Sequence, residues 1–277
     1  MSDWADPHAD QLLIRVASGL TLGGLGVAAA VAGGPWLAAA AAAAVTAMSF
    51  EWVRMSEPAP RGLAWAIAAI GALAAVMAAS WGRFELSVAA LALAALVSFM
   101  RCAGGGAVRA QAAFGVAYIG LAPAALVAIR GEPGLGLIAV LGLFTVIWAA
   151  DIAAYFGGRF IGGPRLAPSL SPRKTWAGVI CGALAAGVAG SAFGAQIGAT
   201  ATSWALAGLV LGVIGLAGDL FESLCKRRFG VKDASGLIPG HGGVLDRLDS
   251  LIFATLSLGL LAAVAPALTA QLFPAAA

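Results

Sequence analysis

The chain has 277 residues, of which 61% are hydrophobic and only 10% charged, with a mean hydropathy of +0.95. Soluble domains carry roughly 25% charged residues, so this composition excludes an ordinary soluble fold and reads as an all-α polytopic membrane protein. The net charge of +3 and pI near 9.0 do not indicate a nucleic-acid partner, because the basic residues fall in short loops between apolar segments, where they act as topology signals.

The chain opens with "MSDWADPHADQLLIRVASG", which is acidic before Arg15 and lacks the basic start of a signal peptide. The first apolar span is therefore expected to remain as a membrane helix. Residues 2–11 are expected to form an interfacial segment with Trp4 at headgroup depth, or to have no fixed structure. Charge, Pro and Gly punctuation divides the chain into about nine apolar segments, near 13–33, 35–53, 62–81, 85–100, 111–130, 134–156, 176–197, 202–224 and 248–272. With nine spans, every Lys and Arg except Arg83 and Arg130 falls on one face of the membrane. By the positive-inside rule that face is cytoplasmic, which puts the N-terminus inside, the C-terminus outside, and the polar loops near 157–175 and 225–247 in the cytosol. Residues 1–130 read as a packing half rich in Ala and Gly, such as the run 38–44, and 131–277 as the half that carries the chemistry. Cys102, Cys181 and Cys225 show neither disulfide nor zinc spacing and read as packing residues.

Ionisable residues inside membrane helices or at their ends are costly, which makes them functional candidates. Asp151 lies in "WAADIAAYFGGRFIGG", with Tyr155 one turn later. Asp219, Glu222, Ser223 and Lys226 form one stripe at the end of the eighth segment, and Asp246 and Asp249 share a face at the start of the ninth. Residues 223–250 alone hold five of the 16 Lys and Arg and three of the 13 Asp and Glu. A first-turn acid or a basic anchor explains any one of these residues, but not Asp219 within an apolar span facing paired acids. Carboxylates with many cations suit a divalent metal and a polyphosphate. Gly240, Gly242 and Gly243 leave backbone N–H groups open before a helix N-terminus, and His241 between them is placed to bond phosphate or to orient a carboxylate. In "LSPRKTWAG", Ser171 reads as an N-cap and Pro172 as the first helical residue, with Lys174 and Thr175 in the first turn. The Gly required before Lys-Thr in a P-loop is absent, since Arg173 stands there.

These motifs resemble the phosphatidate cytidylyltransferases, also called CDP-diacylglycerol synthases. Their C-terminal signature is matched by Ser223, Lys226-Arg227, Lys232-Asp233, His241-Gly242-Gly243 and Asp246-Arg247-Leu248-Asp249. An upstream element is similar to Ser171-Pro172-Arg173-Lys174-Thr175, and a third to Asp151 through Tyr155 and Gly158, so the resemblance covers roughly residues 148–253. It departs at Cys225, where an aliphatic residue is usual, and at Ala177, where an acid is frequent. The resemblance implies transfer of CMP from CTP to phosphatidic acid with release of pyrophosphate, Mg²⁺ as cofactor, a second cation (K⁺ or Mg²⁺), a membrane setting and a homodimer. On that reading Asp219, Lys226, Asp246 and Asp249 are catalytic, and Asp219, Asp246, Asp249 and Asp151 hold metal. Ser171, Lys174, Thr175, Ser223, Arg227, Lys232, His241, Gly242, Gly243 and Arg247 bind substrate, with Glu222 a second choice beside Asp151. Two rivals fit less well. A CDP-alcohol phosphotransferase would need an Asp-Gly-x-x-Ala-Arg opening that is missing, and an ion-coupled transporter would leave the Lys-Asp and His-Gly-Gly loop unexplained.

Overall fold

The computed structural model describes residues 7–57, 61–238 and 242–273, with side chains described from residue 17 onward except at 266, 270 and 271. Elements follow in the order α1 (Pro7–Ala32), α2 (Gly34–Ser56), α3 (Gly62–Ser80), α4 (Phe84–Arg101), α5 (Gly106–Gly131), α6 (Gly136–Phe160), β1 (Arg165–Ala167), β2 (Ser171–Thr175), α7 (Trp176–Gln196), α8 (Ala201–Arg228), α9 (Leu245–Val264) and α10 (Pro266–Leu272). Each of the nine apolar segments is a helix. Eight of them, α2 to α9, are long and apolar enough to cross a membrane, while α1 contributes a shorter apolar stretch, Ala17–Ala32. The protein is thus an integral membrane helix bundle with one small hairpin.

Gly33, with φ +64, makes the break between α1 and α2, a conformation that a side chain would strain. Arg130, at the end of α5, lies over that turn and donates to the carbonyls of Ala30 (2.6 Å) and Val31 (3.3 Å), satisfying groups at the open end of α1. At the opposite face Arg101, ending α4, pairs with buried Glu57 at 2.7 Å. These two contacts fix the alternation of the helices. The ends of α2, α4, α6 and α8 share one face, and the ends of α1, α3, α5 and α7 the other.

The first half packs through small residues, as its composition requires in lipid. Trp52, Met48, Val116 and Ile119 fill a core between α2, α3, α5 and α9, where Gly115 admits the Trp52 ring. Cys102, just past α4, is buried, and burial pushes its thiol pKa up. In the second half α7 lies between α6 and α8 on a glycine seam. A Cβ at Gly178 would come within 2.8 Å of the Ala154 carbonyl, and one at Gly182 within 2.9 Å of the Ala150 carbonyl. Similarly, a Cβ at Gly218 would come within 2.6 Å of the Asp249 carbonyl, so α8 and α9 touch at backbone distance beside the acidic residues of both.

Three boundaries differ from expectation. The seventh helix does not start at Pro172 with Ser171 as its cap. Residues 171–175 form strand β2, paired antiparallel with β1 (Arg165 with Thr175, Ala167 with Ser171), and α7 begins at Trp176. Pro disfavours helical geometry in the residue before it, which suits Ser171 to a strand. The cap is Thr175, extended at φ −123 and ψ 157, whose Oγ1 accepts from the Gly178 N–H at 3.1 Å. The α8 helix runs on to Arg228, so Lys226 is helical and one turn past Glu222. The last span ends at Val264, where Pro266 starts the short α10, and Trp204 of α8 donates to the Leu272 carbonyl at 2.6 Å.

Candidate active site at the loop-bearing face

Lys226 stands at the centre of the site. It forms ion pairs with Glu222, one turn back on α8, and with Asp246 Oδ1 of α9 at 2.5 Å. Glu222 is fully buried and Lys226 nearly so. An isolated buried charge would be costly, and the Lys226 ammonium between two carboxylates offsets much of that cost. One and two turns toward the membrane, Asp219 is paired with Lys174 from β2, so the hairpin delivers a lysine onto α8. Among the described residues Lys174 Nζ has no hydrogen-bond acceptor in good geometry apart from that ion pair and keeps N–H groups to offer.

A second group of acids flanks this pair. Asp249 is buried and accepts from the Ser250 N–H at 2.8 Å, while Ser250 Oγ donates to Asp151 of α6 at 3.4 Å. Asp249 lies within electrostatic range of Asp219, Glu222 and Asp151, and Asp151 within range of Lys174 and Arg247. Elements α6, β2, α8 and α9, distant in sequence, thus bring Asp151, Lys174, Asp219, Glu222, Lys226, Asp246 and Asp249 together. Arg227 joins the two loops, donating to the Leu170 carbonyl (3.3 Å) and the Val231 carbonyl (3.4 Å). Lys232 and Arg247 are exposed and make no ion pair among the described residues. Ser223 is half-buried beside Glu222, and Ser171 half-buried in β2. Thr175 is buried as the α7 cap. His241 and Gly240 lie outside the described residues.

The turn before α9 differs from the open anion site read from its glycines. Gly242 has φ +82, a conformation that favours Gly, but the Gly243 N–H donates to Asp246 Oδ2 at 2.7 Å, and the Ala234 N–H donates to the same oxygen at 3.0 Å. The N–H groups of Val244 and Leu245 each donate to Glu51, at 2.8 Å. The helix N-terminus is occupied by carboxylates of the chain itself, which satisfy orphan donors and complement the helix dipole. Glu51, in α2, is fully buried and also accepts from Ser235 Oγ at 2.5 Å. Sequence reading missed it. The available signal was an acid inside an apolar span of the first half, the same signal that picked out Asp151 and Asp219.

Among the described residues no three His, Cys, Asp or Glu side chains form a ready metal cage. Magnesium does not need one, since it is held by one or two carboxylates with water and substrate phosphate completing the shell. The donor set suits such a hard cation, being all carboxylate. Asp219, Asp249 and Asp151 are the best placed, because both oxygens of Asp246 already have partners.

Residues 13–264 match the family model described as the cytidylyltransferase family. A phosphatidate cytidylyltransferase of Brucella suis is 44% identical over 158 residues, covering 56% of this chain and 58% of that protein. Those of Haemophilus influenzae and Synechocystis are 45% and 46% identical over 126 and 125 residues, covering 43% of this chain and 44% and 41% of theirs. The aligned stretch therefore spans 58% or less of the length of these relatives.

Proposed function

This chain belongs to the cytidylyltransferase family, and on that premise we propose that it transfers CMP from CTP to phosphatidic acid, giving CDP-diacylglycerol and pyrophosphate. A phosphate oxygen of phosphatidic acid forms a bond to the α-phosphorus of CTP. The bond from that phosphorus to the β-phosphate bridging oxygen breaks, and pyrophosphate leaves with its electron pair. The attacking phosphate is already anionic, so the protein's work is alignment and charge neutralisation rather than base catalysis.

The observation that carries this reading is the Lys174–Asp219 pair beside Asp249 and Asp151, with Lys226 locked behind it between Glu222 and Asp246. Lys174 is placed to bind phosphate, and exposed Arg227, Lys232 and Arg247 add positive charge around it. Asp219 and Asp249, with Asp151, would hold Mg²⁺, which when bound supplies positive charge to the phosphates. Asp246 organises the turn and holds Lys226. A second cation (K⁺ or Mg²⁺) and a homodimer belong to the proposal through the family resemblance. The loop-bearing face, rich in Lys and Arg, is assigned to the cytosolic side of the cytoplasmic membrane, where CTP is found, with the N-terminus inside and the C-terminus outside.

Purified protein given CTP, Mg²⁺ and phosphatidic acid is expected to release pyrophosphate and form CDP-diacylglycerol in equal amounts. Folded protein that makes no lipid-dependent product would sink the proposal.

A further inference from the structure

The loop from the end of α8 to the start of α9 leaves and returns through a narrow neck. One limb is Ala234 and Ser235, and the other runs from Gly243 to Leu245. Two carboxylates tie the limbs together. Asp246 accepts from Ala234 and Gly243, and Glu51 accepts from Ser235 on one limb and from Val244 and Leu245 on the other. The other oxygen of Asp246, Oδ1, holds Lys226. A continuous line of polar contacts thus runs from α2, through the neck, to the lysine at the centre of the site.

We propose that Glu51 is a positioning residue for the transfer reaction: it fixes the neck of this loop so that Lys232 and Arg247 face the phosphates of CTP and Asp246 keeps its hold on Lys226. The inference rests on the cytidylyltransferase reading, but it assigns a role to the first half of the chain, which carries none of the motifs. Three features support it. Glu51 has no exposed surface, so water cannot substitute for its three donors. Two of those donors are the N–H groups of Val244, the residue before α9, and Leu245, its first residue, which have no partner within the helix. Gly243 is held against the carboxylate so closely that a Cβ there would lie 2.5 Å from Glu51 Oε1, which leaves no room for the neck to shift. Only an ionised carboxylate accepts from all three donors. Glutamine would turn an NH₂ group toward one of them.

The test uses the full chain in lipid nanodiscs with two independent measurements, hydrogen exchange at the Val244 and Leu245 amides without substrates, and turnover per folded molecule. In Glu51→Gln, exchange at both amides is expected to rise at least about 10-fold as the bonds open. Misplacement of the loop is expected to lower kcat/KM for CTP by up to about 100-fold, with KM for phosphatidic acid unchanged. Ser235→Ala, which removes one bond and keeps the buried charge, is expected to fall between Glu51→Gln and the wild type in both measurements, and Glu51→Asp to recover part of the loss. If Glu51→Gln and Ser235→Ala both kept exchange and kcat/KM within about twofold of the wild type, the proposal would be wrong. It would be equally wrong if activity fell only in proportion to the folded fraction. Wild-type protein with slow exchange at these amides but no product would instead overturn the transferase reading, and the positioning role with it.

Discussion

Variants of Lys226 and Glu222 separate a role in stability from one in chemistry. With Lys226→Met, Glu222 is left buried without a partner, a change expected to cost about 3–5 kcal/mol. The double variant Lys226→Met/Glu222→Gln removes the stranded charge as well. We expect its melting temperature to return most of the way to the wild type while turnover stays lost. Recovered turnover would reduce Lys226 to a structural ion pair. Asp219 and Lys174 separate differently. Asp219→Asn is expected to raise the Mg²⁺ concentration needed for half-maximal turnover, whereas Lys174→Ala lowers turnover at every Mg²⁺ concentration. A magnesium titration of the two variants distinguishes a metal ligand from a phosphate ligand. At this scale the acids and lysines of the second half were legible, because charge is rare in the chain and each marked residue lay near another. Glu51 was not legible as a site residue, since its partners lie 184 to 194 positions away and no spacing rule reaches that far.

The helices were readable as elements because a span of about 20 apolar residues leaves few alternatives. Their ends were less so. "SPRKT" offers both Ser171 and Thr175 as caps, and the choice was settled by pairing with residues 165–167, a tertiary fact. Thr175→Ala removes the cap used and is expected to destabilise by about 1 kcal/mol, while Thr175→Ser should be close to neutral in melting experiments. The contact of α8 with α9 matters more for the site. In Gly218→Ala the new methyl would meet the Asp249 carbonyl, which lies 2.6 Å from the Cβ position. Separating the helices is expected to cost about 1–3 kcal/mol and to move Asp249 away from Asp219, with a larger loss of turnover than of stability. Gly24→Ala, where no atom lies within 4 Å, serves as the neutral control. A Gly218→Ala enzyme of wild-type activity would show that the spacing of α8 and α9 is not critical.

Over the whole molecule, charge and fold agree on a single asymmetry. The alternation fixed by the Arg101–Glu57 and Arg130–Ala30 contacts puts Arg83 and Arg130 on one face and the loops of the site on the other. A single cysteine placed at exposed Gly236, in a background free of native cysteines, is expected to react with an impermeant maleimide only from the cytosolic side, and one at Arg83 only from outside. The reverse labelling would overturn the assigned orientation. The bond between α2 and the start of α9 also has a consequence in time. A ribosome adding about 5–20 residues per second completes α9 some 10–40 s after α2. For most of that interval, until Ser235 is made, Glu51 has none of the donors it meets in the finished protein. Asp246 and Asp249 follow the other residues of the site in the chain, so a nascent chain can form the Lys174–Asp219 and Lys226–Glu222 pairs before the site is complete. Activity is therefore expected only once α9 is inserted.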